Sequence, residues 1–190
     1  MTRDEILEIF KKTGALLDGH FQLTSGLHSP NYFQCARVLQ YHGHSRALCS
    51  EIAAHFDDAD ADVVIAPALG GIVVGQEVGR QLNVRTMFAE RKDGKMQLRR
   101  GFEIARGEKV LICEDVVTTG GSIEEVITIV RATGGLPVGV AAIVDRSGGK
   151  ASFENFFSPL VMDAVTHEAA ACPLCAKGVP IDRPGSRFQR

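Results

Sequence analysis

Apolar residues recur along this chain with two different periods. Three short runs, Val63-Val64-Ile65-Ala66, Val110-Leu111-Ile112-Cys113 and Val138 to Val144, are apolar at nearly every position, as strands covered on both faces require. Between them the period lengthens to that of an amphipathic helix, first from Ile72 to Leu82 and then from about Ser122 to Ala132. Thr86 to Ala89 reads as a further strand. Strands alternating with helices predict βαβ units around a mostly parallel sheet, so the fold class is read as α/β, doubly wound. Ligands of such sheets bind beyond the carboxyl ends of the strands, which directs attention to the residues that follow each apolar run.

The flanks follow other rules. Thr2 to Glu5 spells a capping box, and Ile6, Leu7, Ile9 and Phe10 then recur at helical spacing until Gly14. Ala15 to Phe33 mixes apolar residues with Ser25-Gly26 and Ser29-Pro30, which predicts a small β element. Gly43 to Phe56 returns to helical spacing, and from Cys172 onward Pro173, Pro180, Pro184 and Gly185 predict an irregular arm. The 190 residues are therefore read as one domain (1–190), with 1–36 as a small N-terminal β unit and 172–190 as a C-terminal arm.

Charge and cysteine usage narrow the partners. Lys and Arg number 21 against 23 Asp and Glu, a formal net charge of −2, far from the balance of a nucleic-acid binder. No run approaches the ~20 apolar residues of a membrane-spanning helix, and the charged start Met-Thr-Arg-Asp-Glu has no apolar stretch behind it. A cytoplasmic protein with neither nucleic acid nor membrane as partner is expected. Five scattered cysteines, Cys35, Cys49, Cys113, Cys172 and Cys175, suit reduced thiols. His20, His28, His42, His44, His55 and His167 show no metal-ligand spacing, and most of them are expected at the surface or as caps. Cys172-x-x-Cys175 is half of a zinc set with no second pair beside it in the sequence. No protein-held metal is therefore expected; the pair reads as structural, with redox sensitivity as the alternative.

The chemistry concentrates after the second run, where Glu114-Asp115-Val116-Val117-Thr118-Thr119-Gly120-Gly121-Ser122 leads straight into a helix. Such a bend offers unpaired backbone N–H groups, hydroxyls and a positive helix end to one point, the requirements of a phosphate site. The two acids directly before it stand where acceptors for sugar hydroxyls belong, which predicts a ribose 5-phosphate cradle. The plainer reading is a capped helix, but two acids, two threonines and two glycines exceed what a cap needs. Neither G-x-x-x-x-G-K-[ST] nor G-x-G-x-x-G after a strand occurs, which disfavours an NTPase or a dinucleotide enzyme. Pro67-Ala-Leu-Gly70-Gly71 offers a second anion site at the same sheet edge, or a tight turn with close helix packing through Gly71, Gly75 and Gly79. Arg91, Lys92, Lys95, Arg99 and Arg100 crowd a stretch with little apolar periodicity, read as a solvated loop unless a phosphorylated ligand lies beside it.

Val110 to Ser122 resembles the phosphoribosyl-pyrophosphate (PRPP) signature of the type I phosphoribosyltransferases. Gly19 to Gln34, Glu90 to Phe102, Val144-Asp-Arg146 and the tail Cys172-Pro-Leu-Cys…Pro-Gly-Ser-Arg187 narrow the resemblance to the orotate phosphoribosyltransferase family, over nearly the whole chain. The resemblance implies a type I phosphoribosyltransferase-like fold in which 1–36 forms a hood over a base. It also implies condensation of orotate with PRPP to orotidine 5′-monophosphate and pyrophosphate, a step of pyrimidine synthesis, with Mg²⁺ bound mainly through PRPP. PRPP would lie on Gly70, Gly71, Arg91, Lys92, Glu114, Asp115, Val116, Val117, Thr118, Thr119, Gly120, Gly121 and Ser122. Orotate would lie on Ser25, Gly26, Tyr32, Phe33, Thr118 and Arg146, although Tyr32 and Phe33 read equally well as core. Lys95, Asp115 and Glu114 would be catalytic, and the basic stretch would be a mobile lid reaching the neighbouring subunit of a homodimer. Family members carry lysines at the places of Thr24 and Gly70 and a histidine at that of Gln97; Arg99 and Arg100 are the candidates to replace that charge. A phosphoribosyltransferase for another nucleobase and a non-catalytic PRPP-sensing module are the alternative functions.

Overall fold

The structure, a computed structural model, describes residues 1–23, 25–162 and 165–184. Helix α1 (Arg3–Lys12) opens on the anticipated box: Glu5 N–H donates to Thr2 Oγ1 at 3.3 Å and Thr2 N–H to the Glu5 carboxylate at 2.7 Å. Strands β1 (Leu16–Gln22) and β2 (His28–Phe33) pair antiparallel as a separate two-stranded sheet, with a register shift between Asp18 and Phe21. Helices α2 (Ala36–Leu39) and α3 (His42–His55) lead to β3 (Val63–Pro67), α4 (Gly70–Leu82), β4 (Arg85–Lys92), β5 (Lys95–Leu98), β6 (Lys109–Val117), α5 (Gly121–Ala132) and β7 (Leu136–Asp145). Short strands β8 (Phe156–Phe157) and β9 (Leu160–Val161) and the one-turn helix α6 (Pro173–Ala176) complete the chain.

The main sheet runs β5-β4-β3-β6-β7-β8, with β9 also on β7, and every pairing is parallel except β4 with β5. Val63 to Ala66 and Val110 to Cys113 are fully buried, which explains why their sequences do not alternate. One face of the sheet packs against Leu48 and Ile52 of α3 and Val74 and Val78 of α4. The other packs against Ile123, Val126 and Val130 of α5. The sheet is doubly wound, and each of these side chains contributes about 1.5–3 kcal/mol by leaving water. From β3 the chain crosses by α4 outward to β4, and from β6 by α5 the other way to β7. The direction therefore reverses between β3 and β6, where α/β sheets open a crevice for ligands.

The basic stretch is a hairpin rather than an irregular loop. Ala89 pairs with Leu98 and Lys92 with Lys95, and Asp93 and Gly94 turn with φ of 52° and 78°. Two successive positive φ values are the mark of a type I′ turn, for which Asp-Gly is a favoured pair; ladder and turn override the poor apolar alternation. Arg99 and Arg100 both pair with Glu90 of the same hairpin, at 3.3 and 3.0 Å, two cations on one carboxylate.

The C-terminal arm adds to the small sheet. Gln22 N–H donates to Asp182 O at 2.9 Å, Asp182 N–H to His20 O at 2.8 Å, and His28 and His167 exchange backbone bonds at 2.9 Å. Covered by this arm, His20 and His28 are buried, 3% and 5% exposed, instead of standing at the surface. Thr24 and the Gly185-Ser-Arg187 part of the tail motif lie outside the described residues.

Candidate functional site

Two strand ends and two helix starts meet at the crevice. β6 carries Glu114 and Asp115 to its rim, and Thr118 to Gly120 then bend the chain into α5. Gly120 makes that bend with φ of 80°, in the left-handed region where side chains are strained. A Cβ there would also stand 2.5 Å from the Phe153 ring. The first backbone N–H groups of α5 have no partner one turn earlier, and a cavity of about 760 Å³ is lined by Val116, Val117, Thr118, Thr119, Gly120, Gly121 and Ser122 together with Glu114, Arg91 and Tyr32. The bend is open to that space.

The neighbouring junction, after β3, is built for a different neighbour. A Cβ on Gly70 would overlap Oδ2 of Asp115, and one on Gly71 would come within 2.9 Å of Oε1 of Glu114. The bare start of α4 thus makes room for the two carboxylates. They reach no cation: among the described residues neither joins an ion pair. Their bonds are local, Asp115 N–H to Glu114 Oε1 at 3.0 Å and Val116 N–H to Asp115 Oδ1 at 2.9 Å. Burial holds the Glu114 carboxyl well above the ordinary carboxylate range, with the adjacent Asp115 charge adding to it. Burial raises Asp115 as well. A half-buried acid pair without a cation is a site that a cation or hydroxyl donors would relieve.

A second cavity of about 780 Å³ shares Tyr32, Arg91, Glu114 and Thr118 with the first and extends under the small sheet, to Ser25, Phe33, Gly70, Asp115 and Arg146. Arg146 is buried there; its Nη2 donates to Ser29 Oγ at 3.3 Å and Asn31 O at 3.2 Å, and its guanidinium lies 5.2 Å from the Phe33 ring centre. The tertiary fold thus brings Ser25, Tyr32, Phe33, Thr118 and Arg146 around one space. It does not bring Gly26, Gly71, Lys92 or Lys95 to the lining of either cavity. Gly26, with φ of 85°, serves the turn between β1 and β2, while Lys92 and Lys95 stand exposed on the hairpin.

Glu125 also lines the first cavity, with no local signal in the sequence. It accepts from Arg91 Nη1 at 2.9 Å and from Met96 N–H at 3.3 Å, which ties the hairpin to α5 beside the first cavity. The partners are 34 residues apart, so only the assembled sheet shows the contact.

Residues 38–156 match the model of the phosphoribosyl transferase domain family. The orotate phosphoribosyltransferase of Chlorobaculum parvum is 58% identical over 188 residues, spanning 98% of this chain and 97% of that one. The chain belongs to the orotate phosphoribosyltransferase family. The family's protein from Caldicellulosiruptor bescii is 53% identical over 98% of this chain and 99% of its own. The crystal structure of orotate phosphoribosyltransferase from Aeropyrum pernix superposes with a TM-score of 0.69 at 25% identity, covering 83% of this chain and 93% of that one. The doubly wound sheet is thus the type I phosphoribosyltransferase fold. Among the described residues, no helix is long and apolar enough to cross a membrane.

Proposed function

We propose that this member of the family transfers the phosphoribosyl group of PRPP to orotate, releasing pyrophosphate, and that the Thr118–Ser122 bend holds the 5-phosphate while Glu114 and Asp115 accept from the ribose hydroxyls. The observation that carries this is the cation-free acid pair beside an open helix start, with the second cavity lined by Glu114, Asp115, Thr118, Thr119 and Ser122 together. A phosphate on the α5 N–H groups places the sugar's other oxygens toward the strand end. As the bond to pyrophosphate breaks, positive charge grows on the ring, and two carboxylates in a partly dry cleft stabilise it without reorganising. Glu114 and Asp115 are hard oxygen donors, which suits a Mg²⁺ ion carried in by PRPP; that ion would supply charge neutralisation for the departing pyrophosphate. Under the small sheet, Tyr32, Phe33 and Arg146 supply an aromatic wall and a fixed cation, a fit for a planar base bearing a carboxylate.

The test is pyrophosphate release with Mg²⁺ across orotate, uracil, hypoxanthine and adenine. Turnover with orotate is expected; turnover with a purine alone would assign another nucleobase, and PRPP binding without pyrophosphate release from any base would favour a sensing module.

Lys95 stands exposed at the start of β5, outside both cavities of its own subunit, which supports a homodimer in which the hairpin serves the partner's site. In that arrangement Lys95→Ala lowers kcat by about 10²-fold with little change in PRPP affinity. Mixing it with Asp115→Asn restores about a quarter of the wild-type activity, because half of the dimers are hybrids with one intact site each. Failure of the mixture to recover activity would place Lys95 in its own subunit's chemistry.

A further inference from the structure

The small sheet and the C-terminal arm share a feature that the transferase reaction does not use. His20 and His28, from β1 and β2, meet Cys172 and Cys175, from the arm, and one ligand-type atom of each lies within 4.8 Å of all the others. Nε2 of His20 is 3.0 Å from Nδ1 of His28, 3.6 Å from Sγ of Cys172 and 3.7 Å from Sγ of Cys175; Sγ of Cys175 is 3.2 Å from Nδ1 of His28. With zinc–sulfur bonds of about 2.3 Å and zinc–nitrogen bonds of about 2.0–2.1 Å, a tetrahedral ion separates its ligands by about 3.3 Å for N–N and 3.6 Å for N–S. The four N–N and N–S separations just given match within a few tenths of an ångström.

We infer that these four side chains bind one zinc ion that clasps the C-terminal arm to the N-terminal sheet. Two sulfurs and two imidazole nitrogens in a compact set are the donors that zinc selects. Both thiols are free. His20 is held in the tautomer a metal needs: its Nδ1 donates to the Val179 carbonyl at 2.8 Å, which leaves Nε2 as the electron-pair donor facing the cluster. The register shift between Asp18 and Phe21 lies where His20 leaves the regular pairing, a place where bulges re-aim side chains. Cys172 and Cys175 flank Pro173 and Leu174 at the start of α6, the two-residue gap common in zinc sites. His20, His28 and Cys172 are buried, and buried polar groups of this kind require partners.

The four ligands fill a tetrahedron and leave no position for substrate, so the ion is structural. Its place in the molecule gives it a consequence. Ligands 152 residues apart are joined, and the segments that leave the cluster carry Gln22, Leu23 and Pro184 to the lining of the second cavity. The ion therefore fixes two walls of the space under the small sheet. A sequence scan does not reveal it, because the second pair of ligands is supplied by two strands rather than by a neighbouring motif.

The test is metal analysis of the full chain, purified without chelators and without a metal-affinity step. About one zinc per chain is expected. Replacement by Co²⁺ should give the visible bands of a tetrahedral cobalt–thiolate centre. Cys175→Ser and His28→Ala should lose the metal, and Cys49→Ser, in α3, should keep it. If the ligand variants do not fold, stripping the wild-type protein with a chelator and titrating it with Co²⁺ gives the same answer. Thiols that titrate freely with no zinc present and no cobalt bands on addition would overturn the inference, as would a Cys172–Cys175 disulfide in the freshly isolated protein or zinc retained by the Cys175→Ser, His28→Ala double variant.

Discussion

The two strand–helix junctions at the crevice look alike in sequence and do opposite things in space. After β3, Gly70 and Gly71 are bare because the carboxylates of the other junction occupy the room a Cβ would take. After β6, Gly120 is glycine because its backbone turns left-handed against Phe153. One glycine pair makes space for the protein's own acids, while the other shapes a loop around the first cavity. A glycine-rich turn after a buried strand therefore has a meaning only when the atoms facing it are known.

The largest effect should come from the acids themselves. Glu114→Gln and Asp115→Asn should each lower kcat by about 10²–10³ if they stabilise charge in the transition state, measured by pyrophosphate release. The same changes should raise thermal stability. Both carboxyls are shifted upward in the folded protein, so the folded state holds protons that the unfolded state has lost. Stability of the ligand-free enzyme then falls as pH rises from the ordinary carboxylate range, near 4, up to the raised folded-state values. Melting curves across that window should slope downward for wild type and flatten in the variants. An unchanged slope would show that the acids are not desolvated as their burial requires.

Next come the glycines, which separate the two junctions. Gly120→Ala has to strain φ and displace Phe153, so a loss of about 1–3 kcal/mol in stability is expected, together with activity. Gly70→Ala meets only the end of the Asp115 side chain. Its stability should move by less than about 0.5 kcal/mol, while kcat falls about tenfold as Asp115 is pushed aside. Denaturant melts and initial rates on the pair would reverse the assignment if Gly70→Ala unfolded the protein and left its rate intact.

Much of the frame can be read from the residues because it is local. Val63 to Ala66 and Val110 to Cys113 announce buried parallel strands on their own, and the cradle fits in the nine residues from Glu114 to Ser122. The hairpin at Asp93-Gly94 was equally local, yet the density of charge around it hid the turn signal. What stays hidden is contact between distant segments. Arg146 reaches Ser29 across 117 residues and Arg91 reaches Glu125 across 34, and neither spacing leaves a pattern in the sequence. His20 and His28 likewise acquire their burial only when the arm folds across them.

The central claim is that the Thr118–Ser122 bend grips a sugar phosphate while its acidic neighbours hold the same sugar's hydroxyls. A crystal structure of the enzyme with orotidine 5′-monophosphate tests this most directly. The account predicts the 5′-phosphate on the N–H and hydroxyl groups of Thr118 to Ser122 with both ribose hydroxyls within hydrogen-bond reach of Glu114 and Asp115. A phosphate bound elsewhere, or a ribose turned away from the two carboxylates, would contradict it.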